Sequence, residues 1–357
     1  MAVTAVTAVL MAGVFAGCGT EKSAKEGTGD AVQKTLKIGV GGSEDSGYVL
    51  ELAALAKENG YLDEELGNVG YTVEFVPFAS AGPEINEALA SGAVDAAIYG
   101  DFPAFTSKSN GIDTTIIATV NQRMQYGVLA GNDEIKTAKD LEGKKVIYLQ
   151  GSVQQYFWEK YAEANGIDTS KVEVINSTDT ASLLQTGAAD AAAGNIYVEK
   201  YLENMGVGKI FDDGSSTGVY TTHVVTVKSD ILKETPQVAV AINKALIRAY
   251  EDAVADKEAL YDAVATKNMP KEIMKSEYEF DESLWYLSPE ITEDTRAYYD
   301  GLNDWLYDHK IIQNKVDVAS FVDGQYYEQA KQELETLIVQ LTAEMQRIFT
   351  ERFAGIN

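Results

Sequence analysis

Lys144-Lys145-Val146-Ile147-Tyr148-Leu149 opens the stretch that decides the fold, and Gly187-Ala188-Ala189-Asp190-Ala191-Ala192 closes it. Between them Gln150-Gly151-Ser152 breaks the apolar run, and a helical pattern from Val153 to Ala164 stops at Asn165-Gly166. A second apolar run covers Lys171 to Ile175, and a second helical one Ala181 to Gln185. Short β-branched runs that end on glycine, then apolar residues at helical spacing, read as strand, turn and helix. The earlier part of the chain does the same. Leu36-Lys37-Ile38-Gly39-Val40 meets Gly41-Gly42-Ser43, and a helical pattern from about Tyr48 to Glu58 ends at Gly60. Tyr71 to Phe78 alternates as a strand, Pro83 to Ala90 reads as a helix, and Gly92-Ala93-Val94-Asp95-Ala96-Ala97 closes the copy. Two βαβαβ units in one chain predict an α/β protein of two lobes, each a mainly parallel sheet flanked by helices.

Two lobes need connections. Tyr126 to Ala130 is the expected crossing to the second lobe, and Thr222 to Val227 the return, both apolar strand-like runs. This divides the body into lobe 1 (residues 36–125 with 226–330) and lobe 2 (residues 126–225). After Pro236 the pattern is helical over Val238 to Ala255, Lys257 to Thr266 and Thr292 to His309, and these helices should cover lobe 1. In residues 331–357, Leu334, Leu337, Ile338, Leu341, Met345 and Ile348 form one apolar stripe, an amphipathic helix expected to pack on the same lobe.

The formal net charge is −26, from 55 acidic and 29 basic residues. Such a surface repels phosphate backbones and anionic lipid heads, which excludes nucleic acid and bare membrane surfaces as general partners. A small anion is not excluded, because backbone dipoles and a few donors dominate at contact distance. The one cysteine, Cys18, rules out an intrachain disulfide and any cysteine-built metal cage. It follows an apolar run from Ala2 to Gly17 that ends Phe15-Ala16-Gly17-Cys18, a stretch too short for a stable membrane-spanning helix. The pattern resembles a bacterial lipobox, which implies a signal peptide over residues 1–18 and lipidation at Cys18. Residues 19–35, rich in Gly, Ser, Thr, Lys and Glu, read as a flexible tether. The body is thereby expected on the extracytoplasmic face of the cell membrane, held by lipid alone, as a monomer.

In open α/β sheets, ligands bind beyond the carboxyl ends of the strands. On lobe 1 those ends offer Gly42 and Ser43, Asp101 and Phe102, and Asn121 with Arg123; on lobe 2 they offer Ser152, Val153 and Gln154, Asn195 and Tyr197, and the return near Thr222. Glycines let backbone approach a ligand, helix starts present N–H donors, and the hydroxyls and amides add more, a lining suited to an oxyanion. Ser152 with Gln155 also fits a capping box, and Asp101 before Pro103 fits a helix cap as well as a ligand contact. Arg123 is either a bidentate partner for an anion or a solvated hinge residue. Phe102 and Tyr197 flank the loops and could wall an organic tail.

Leu36-Lys37-Ile38-Gly39, Gly100-Asp101-x-Pro103 and Asp140-Leu141-Glu142-Gly143-Lys144-Lys145-Val146 together resemble the sulfonate, nitrate and taurine group of periplasmic-type solute-binding proteins. The resemblance runs from Leu36 to about Ala330. It implies a two-lobed type II periplasmic-binding-protein fold with two hinge crossings that closes on a small anionic solute and docks on an ABC permease. Where many relatives carry Trp-Asp-Pro, this chain has Asn195-Ile196-Tyr197-Val198-Glu199, which bears on the solute. An extracellular sensor with the same clamshell, or an aminopyrimidine-type solute, are the alternatives. Only His223 and His309 supply imidazoles, neither in a catalytic or metal-binding setting, so neither an enzyme nor a metal or cofactor site is expected.

Overall fold

The computed structural model describes residues 33–44, 47–79, 82–267, 269–279 and 281–353, except for the side chains of residues 216, 346 and 348–353. Cys18, the signal peptide and all but the last residues of the tether lie outside the described residues. Lys34 and Thr35, expected in the tether, already belong to the first strand.

In chain order the first half contains β1 (Lys34–Ser43), β2 (Gly47–Val49), α1 (Leu52–Glu58), α2 (Tyr61–Asn68), β3 (Tyr71–Phe78), α3 (Gly82–Ser91), β4 (Ala96–Gly100), α4 (Asp101–Ser109) and β5 (Thr114–Met124). The second half contains β6 (Tyr126–Ala130), β7 (Lys145–Ile147), α5 (Val153–Ala164), β8 (Glu173–Ile175), α6 (Thr180–Gln185), β9 (Ala191–Asn195), α7 (Ile196–Asn204) and β10 (Lys209–Asp212). There follow β11 (Thr221–Lys228), α8 (Ser229–Glu234), α9 (Gln237–Ala255), α10 (Lys257–Val264), α11 (Lys271–Tyr278), α12 (Glu293–Asp308), α13 (Val318–Phe321) and α14 (Gln325–Phe353).

One sheet runs β2-β1-β4-β11-β5 with β3 also on β1, the other β10-β6-β9-β7-β8. The repeat read from the sequence has a hydrogen-bonded cause. Asp95 accepts the Lys37 amide through Oδ2 at 2.9 Å while its own amide donates to the Lys37 carbonyl at 2.8 Å. Asp190 does the same with Lys145, at 2.8 Å and 2.9 Å. Each Gly-x-x-Asp-Ala-Ala segment thus ends a helix on a positive-φ glycine (Gly92, Gly187) and locks the next strand in register with the first. The small alanines then let helices from both faces approach β4 and β9.

Besides the β2 edge strand, which is antiparallel to β1, each sheet also holds one internal strand that runs against its neighbours. β11 is antiparallel to β4 and β5, and β6 is antiparallel to β9 and β10. These strands belong to the sheets they enter, so the crossings lie just before them: Gln125 between β5 and β6, and residues 213–220 between β10 and β11. The boundary expected at 225/226 is corrected accordingly, since residues 221–225 pair with β4 and β5 of the first sheet. The cause is register: Thr221, Thr222, Val224 and Val225, all β-branched, continue one ladder that a boundary at 226 would cut.

Both sheets are covered on two faces. In the first, Leu36, Ile38, Ile117 and Val225 pack with α1, α9 and α10, while Ala97, Ile116 and Val224 pack with α4 and α12. α9 buries Val238, Ala241, Ile242, Ala245, Leu246 and Ala249, a stripe at helical spacing. Each fully buried Leu or Ile there contributes about 2 kcal/mol. In the second lobe Trp158 and Tyr161 of α5 fill one face, Leu184 and Leu202 the other. The last helix departs from expectation. Tyr327 and Ala330 of α14 pack on Val240 and Ile247 of α9, but Leu337, Ile338, Leu341 and Met345 are half-exposed or more. Only its first turns cover the lobe.

The second crossing depends on Gly214, at φ +66°, whose added Cβ would overlap the Tyr126 carbonyl and reach the Phe157 ring at 2.7 Å. Gly214→Ala should cost about 2 kcal/mol, from left-handed strain and overpacking combined. A urea midpoint equal to wild type would show that the crossing relaxes freely.

Candidate functional site

The carboxyl ends of β1, β4, β5, β7 and β9 and the start of β11 converge between the lobes. At the first of them, β1 does not break at its glycines. Gly41, Gly42 and Ser43 pair with Val49, Tyr48 and Gly47 of β2, and Gly42 sits at φ +119°. A Cβ there would overlap the Gly47 carbonyl, so the hairpin requires glycine. The helix expected from Tyr48 consequently starts only at Leu52, because residues 47–49 are extended on β1.

The hairpin ends at Glu51, a non-glycine residue at φ 50° whose side chain turns inward to 3% exposure. Positive φ at such a residue costs roughly 1–3 kcal/mol, a strain the surroundings must hold. They do so with charge-assisted contacts: the Tyr278 hydroxyl donates to Glu51 Oε2, and His223 Nδ1 stands 3.4 Å from Oε1. Glu277 accepts the Gln125 amide at 3.1 Å, and Asn121, fully buried, is set between Glu51 and Glu277. Burial pushes the Glu51 carboxyl up, but His223, Tyr278 and Asn121 outweigh it and hold the group below the usual range. Glu277 goes the other way, raised well above its ordinary value by burial and then by the Glu51 charge. Two neighbouring carboxyls are therefore pushed in opposite directions.

Glu51 opens onto a cavity of about 140 Å³, walled by Gly42, Tyr48, Met274 and Tyr278 of lobe 1 and by Tyr197 of lobe 2. Both lobes contribute, and α7 reaches the cavity because Asn195 caps it, accepting the Tyr197 amide at 3.3 Å. Among the described lining residues the charged side chain is Glu51; no Lys or Arg faces the space.

Gly42 and Tyr197, both expected at the site, thus line this cavity. The others serve the lobes and loops around it. Asp101 neither caps α4, whose N-cap is Gly100, nor faces open space. Its Oδ2 accepts the Thr222 amide at 2.7 Å, the Thr222 hydroxyl at 3.1 Å and the Tyr298 hydroxyl at 2.8 Å, tying α4, β11 and α12 together. Burial raises its pKa, with these donors in partial opposition. Thr222, fully buried, is spent on Asp101 and on Tyr299. Phe102 packs on Tyr156 and Trp305. Ser152 caps α5, accepting the Gln154 amide at 3.1 Å and donating to the Leu149 carbonyl at 2.6 Å. Gln154 Oε1 accepts the Leu149 amide at 2.8 Å, and Asn121 Oδ1 the Arg123 amide at 2.9 Å, so these amide oxygens serve their own loops. Val153 packs between the cores of the two lobes. Arg123 lies over the Tyr220 and Trp285 rings, 5.4 Å and 5.9 Å away, and edges a separate depression with Gln125, Asp213 and Ser276. Ser43 sits beside Gly42 at the hairpin end, half-exposed.

Sequence reasoning missed Glu51, Met274, Glu277 and Tyr278. Pro270 ahead of Lys271 is a helix-start signal that could have revealed α11. Nothing local places α11 over the hairpin.

On the opposite flank the lobes touch again. Trp305 Nε1 of α12 donates to Glu159 Oε2 of α5 at 3.1 Å, His309 Nε2 lies 2.9 Å from the same oxygen, and Tyr156 meets the Trp305 ring at 5.1 Å.

A Bacillus subtilis protein named for aliphatic sulfonate binding is 29% identical over 341 residues, covering 91% of this chain and 96% of its own length. The solved periplasmic sulfonate-binding protein of Methylobacillus flagellatus superposes with TM-score 0.75 at 25% identity, over 85% of this chain and 96% of the other. The desulfurization enzyme DSZB shares the fold at TM-score 0.67 and 14% identity, over 84% and 99% of the two chains. The family model described as NMT1/THI5 like matches residues 52–259, more than half of the sequence, and it is to this NMT1/THI5-like family that the chain belongs.

Proposed function

We propose that the protein is the extracytoplasmic solute-binding subunit of an ABC importer, taking a small organic solute of the aliphatic sulfonate kind between its lobes. The observation that carries the reading is a cavity with walls from both lobes, at the carboxyl ends of two sheets joined by two short crossings. Solute favours the closed form because only there do Tyr197 of lobe 2 and the β1–β2 hairpin of lobe 1 reach it together. The relatives named above support sulfonates as the solute class and a permease as the partner. Lipidation at Cys18 would keep the body at the membrane, and no described helix is long and apolar enough to cross one.

A thermal-shift screen with alkanesulfonates, taurine, nitrate, aminopyrimidines, carboxylates and divalent metals tests this. A solute at a hundredfold its Kd should add about 2.7 kcal/mol to stability. A shift with divalent metals alone would sink the reading.

A further inference from the structure

The Glu51 cavity also constrains which solute fits. Its volume of about 140 Å³ matches apolar cavities that admit one small ring. Its wall is largely apolar and aromatic, with Tyr48, Tyr197 and Tyr278 around Met274. The polar pole is Glu51 itself, with the Glu277 carboxyl and the Asn121 amide behind it. Asn121 and Glu277 are buried behind Glu51 and do not line the cavity, so the polar group that meets a solute is Glu51 itself. His223 Nδ1 at 3.4 Å is longer than a well-made hydrogen bond, which leaves Glu51 Oε1 with accepting capacity.

An anionic group placed here would meet carboxyl oxygens at low dielectric with no Lys or Arg on the described wall to offset it. A nitrogen carrying hydrogens meets the opposite situation. Glu51 accepts from it, and tyrosine faces attract its charge. We propose that the portion of the solute seated in this cavity is a protonated amine or amidine on a small apolar body, held by Glu51 inside a wall of tyrosines. The inference rests on the solute-binding reading above and names the chemistry of one end of the solute.

Calorimetric titration of the purified protein with four probes tests it: propanesulfonate, aminopropanesulfonate, N-acetyl-aminopropanesulfonate and benzamidine. Aminopropanesulfonate should bind at least about tenfold tighter than the plain and the N-acetylated sulfonates, the equivalent of one charge-assisted hydrogen bond. Benzamidine should compete with it, and Glu51→Gln should erase the preference. Should Glu51→Gln fail to fold, the amine and its N-acetyl form on the wild-type chain carry the comparison. Equal affinity for the plain or acetylated sulfonate overturns the proposal and leaves the solute-binding reading standing. Failure of all four probes also overturns it, and the thermal-shift screen then decides separately whether the chain binds another solute.

Discussion

Replacing Glu199 with glutamine is expected to stabilise the protein by about 3 kcal/mol at pH 7, raising the unfolding midpoint by about 6 °C. Glu199 lies in the first turn of α7, the helix that carries Tyr197 into the cavity, and is 2% exposed. Its carboxyl crowds Gly194, where any Cβ would overlap it, and Oε2 has no hydrogen-bond partner. A helix N-terminus favours negative charge, but by about 1 kcal/mol at most in ordinary settings, too little to offset removing a carboxylate from water. Burial therefore pushes the group up from 4.5 to about 8. Unfolded, it ionises near pH 4.5; folded, it keeps its proton to about pH 8. Between those values the native state binds more protons, so this group makes stability fall as pH rises through the window. The glutamine variant lacks that slope. Its advantage should be near zero below pH 4.5 and largest by pH 8, read from melting curves at a series of pH values. A constant difference across the range would mean that Glu199 is ionised or solvated in the native state.

The architecture was legible because its signals are local. A glycine ending a helix, an aspartate three residues on and paired alanines recur, and in both copies the aspartate closes the same pair of bonds to a lysine's backbone. Tyr71 to Phe78 is a strand because it alternates, and Val238 to Ala255 a helix because its apolar residues fall at three- and four-residue steps. Failures came where partners distant in sequence decide. The helical pattern read from about Tyr48 fails because residues 47–49 pair with β1 as a hairpin strand, which throws Glu51 inward at positive φ. No composition marks that turn, because an acidic residue before an apolar run reads as a solvated helix start. Of the lining expected from Asn121, Ser152 and Gln154, the Ser152 hydroxyl donates within its own loop and the Asn121 and Gln154 side-chain oxygens accept there, as short polar side chains beside free backbone groups tend to do. Arg123 reads from sequence as either an anion partner or a solvated hinge residue, and aromatic rings brought from positions 220 and 285 determine where it lies.

The flank opposite the cavity gives the largest expected loss. Trp305→Ala should lower folding stability by about 4 kcal/mol, the range for removing a buried tryptophan. A separate part of the effect should appear in solute affinity. Trp305 packs on Phe102 of its own lobe, which matters in open and closed forms alike, and on Tyr156 of the other lobe, which matters only when closed. Its Nε1 bond to Glu159 likewise exists only across the cleft. An aromatic contact of about 1 kcal/mol and a charge-assisted bond of about 1 kcal/mol, discounted for the one-third exposure of Glu159, together weaken closure by about 2 kcal/mol. Since solute binds the closed form, that loss becomes roughly a thirtyfold rise in Kd. Trp305→Phe separates the terms, because it keeps a ring in the stack and loses only the bond to Glu159. It should cost little stability and raise Kd about fivefold; Glu159→Ala, which also loses the His309 contact, should raise it further, and the double variant should be no worse than Glu159→Ala alone. Small-angle scattering of Trp305→Ala without solute should show a larger radius of gyration than wild type. If that variant melts earlier yet binds and scatters as wild type does, the contact stabilises lobe 1 alone, and closure rests on the α7–α11 flank beside the cavity.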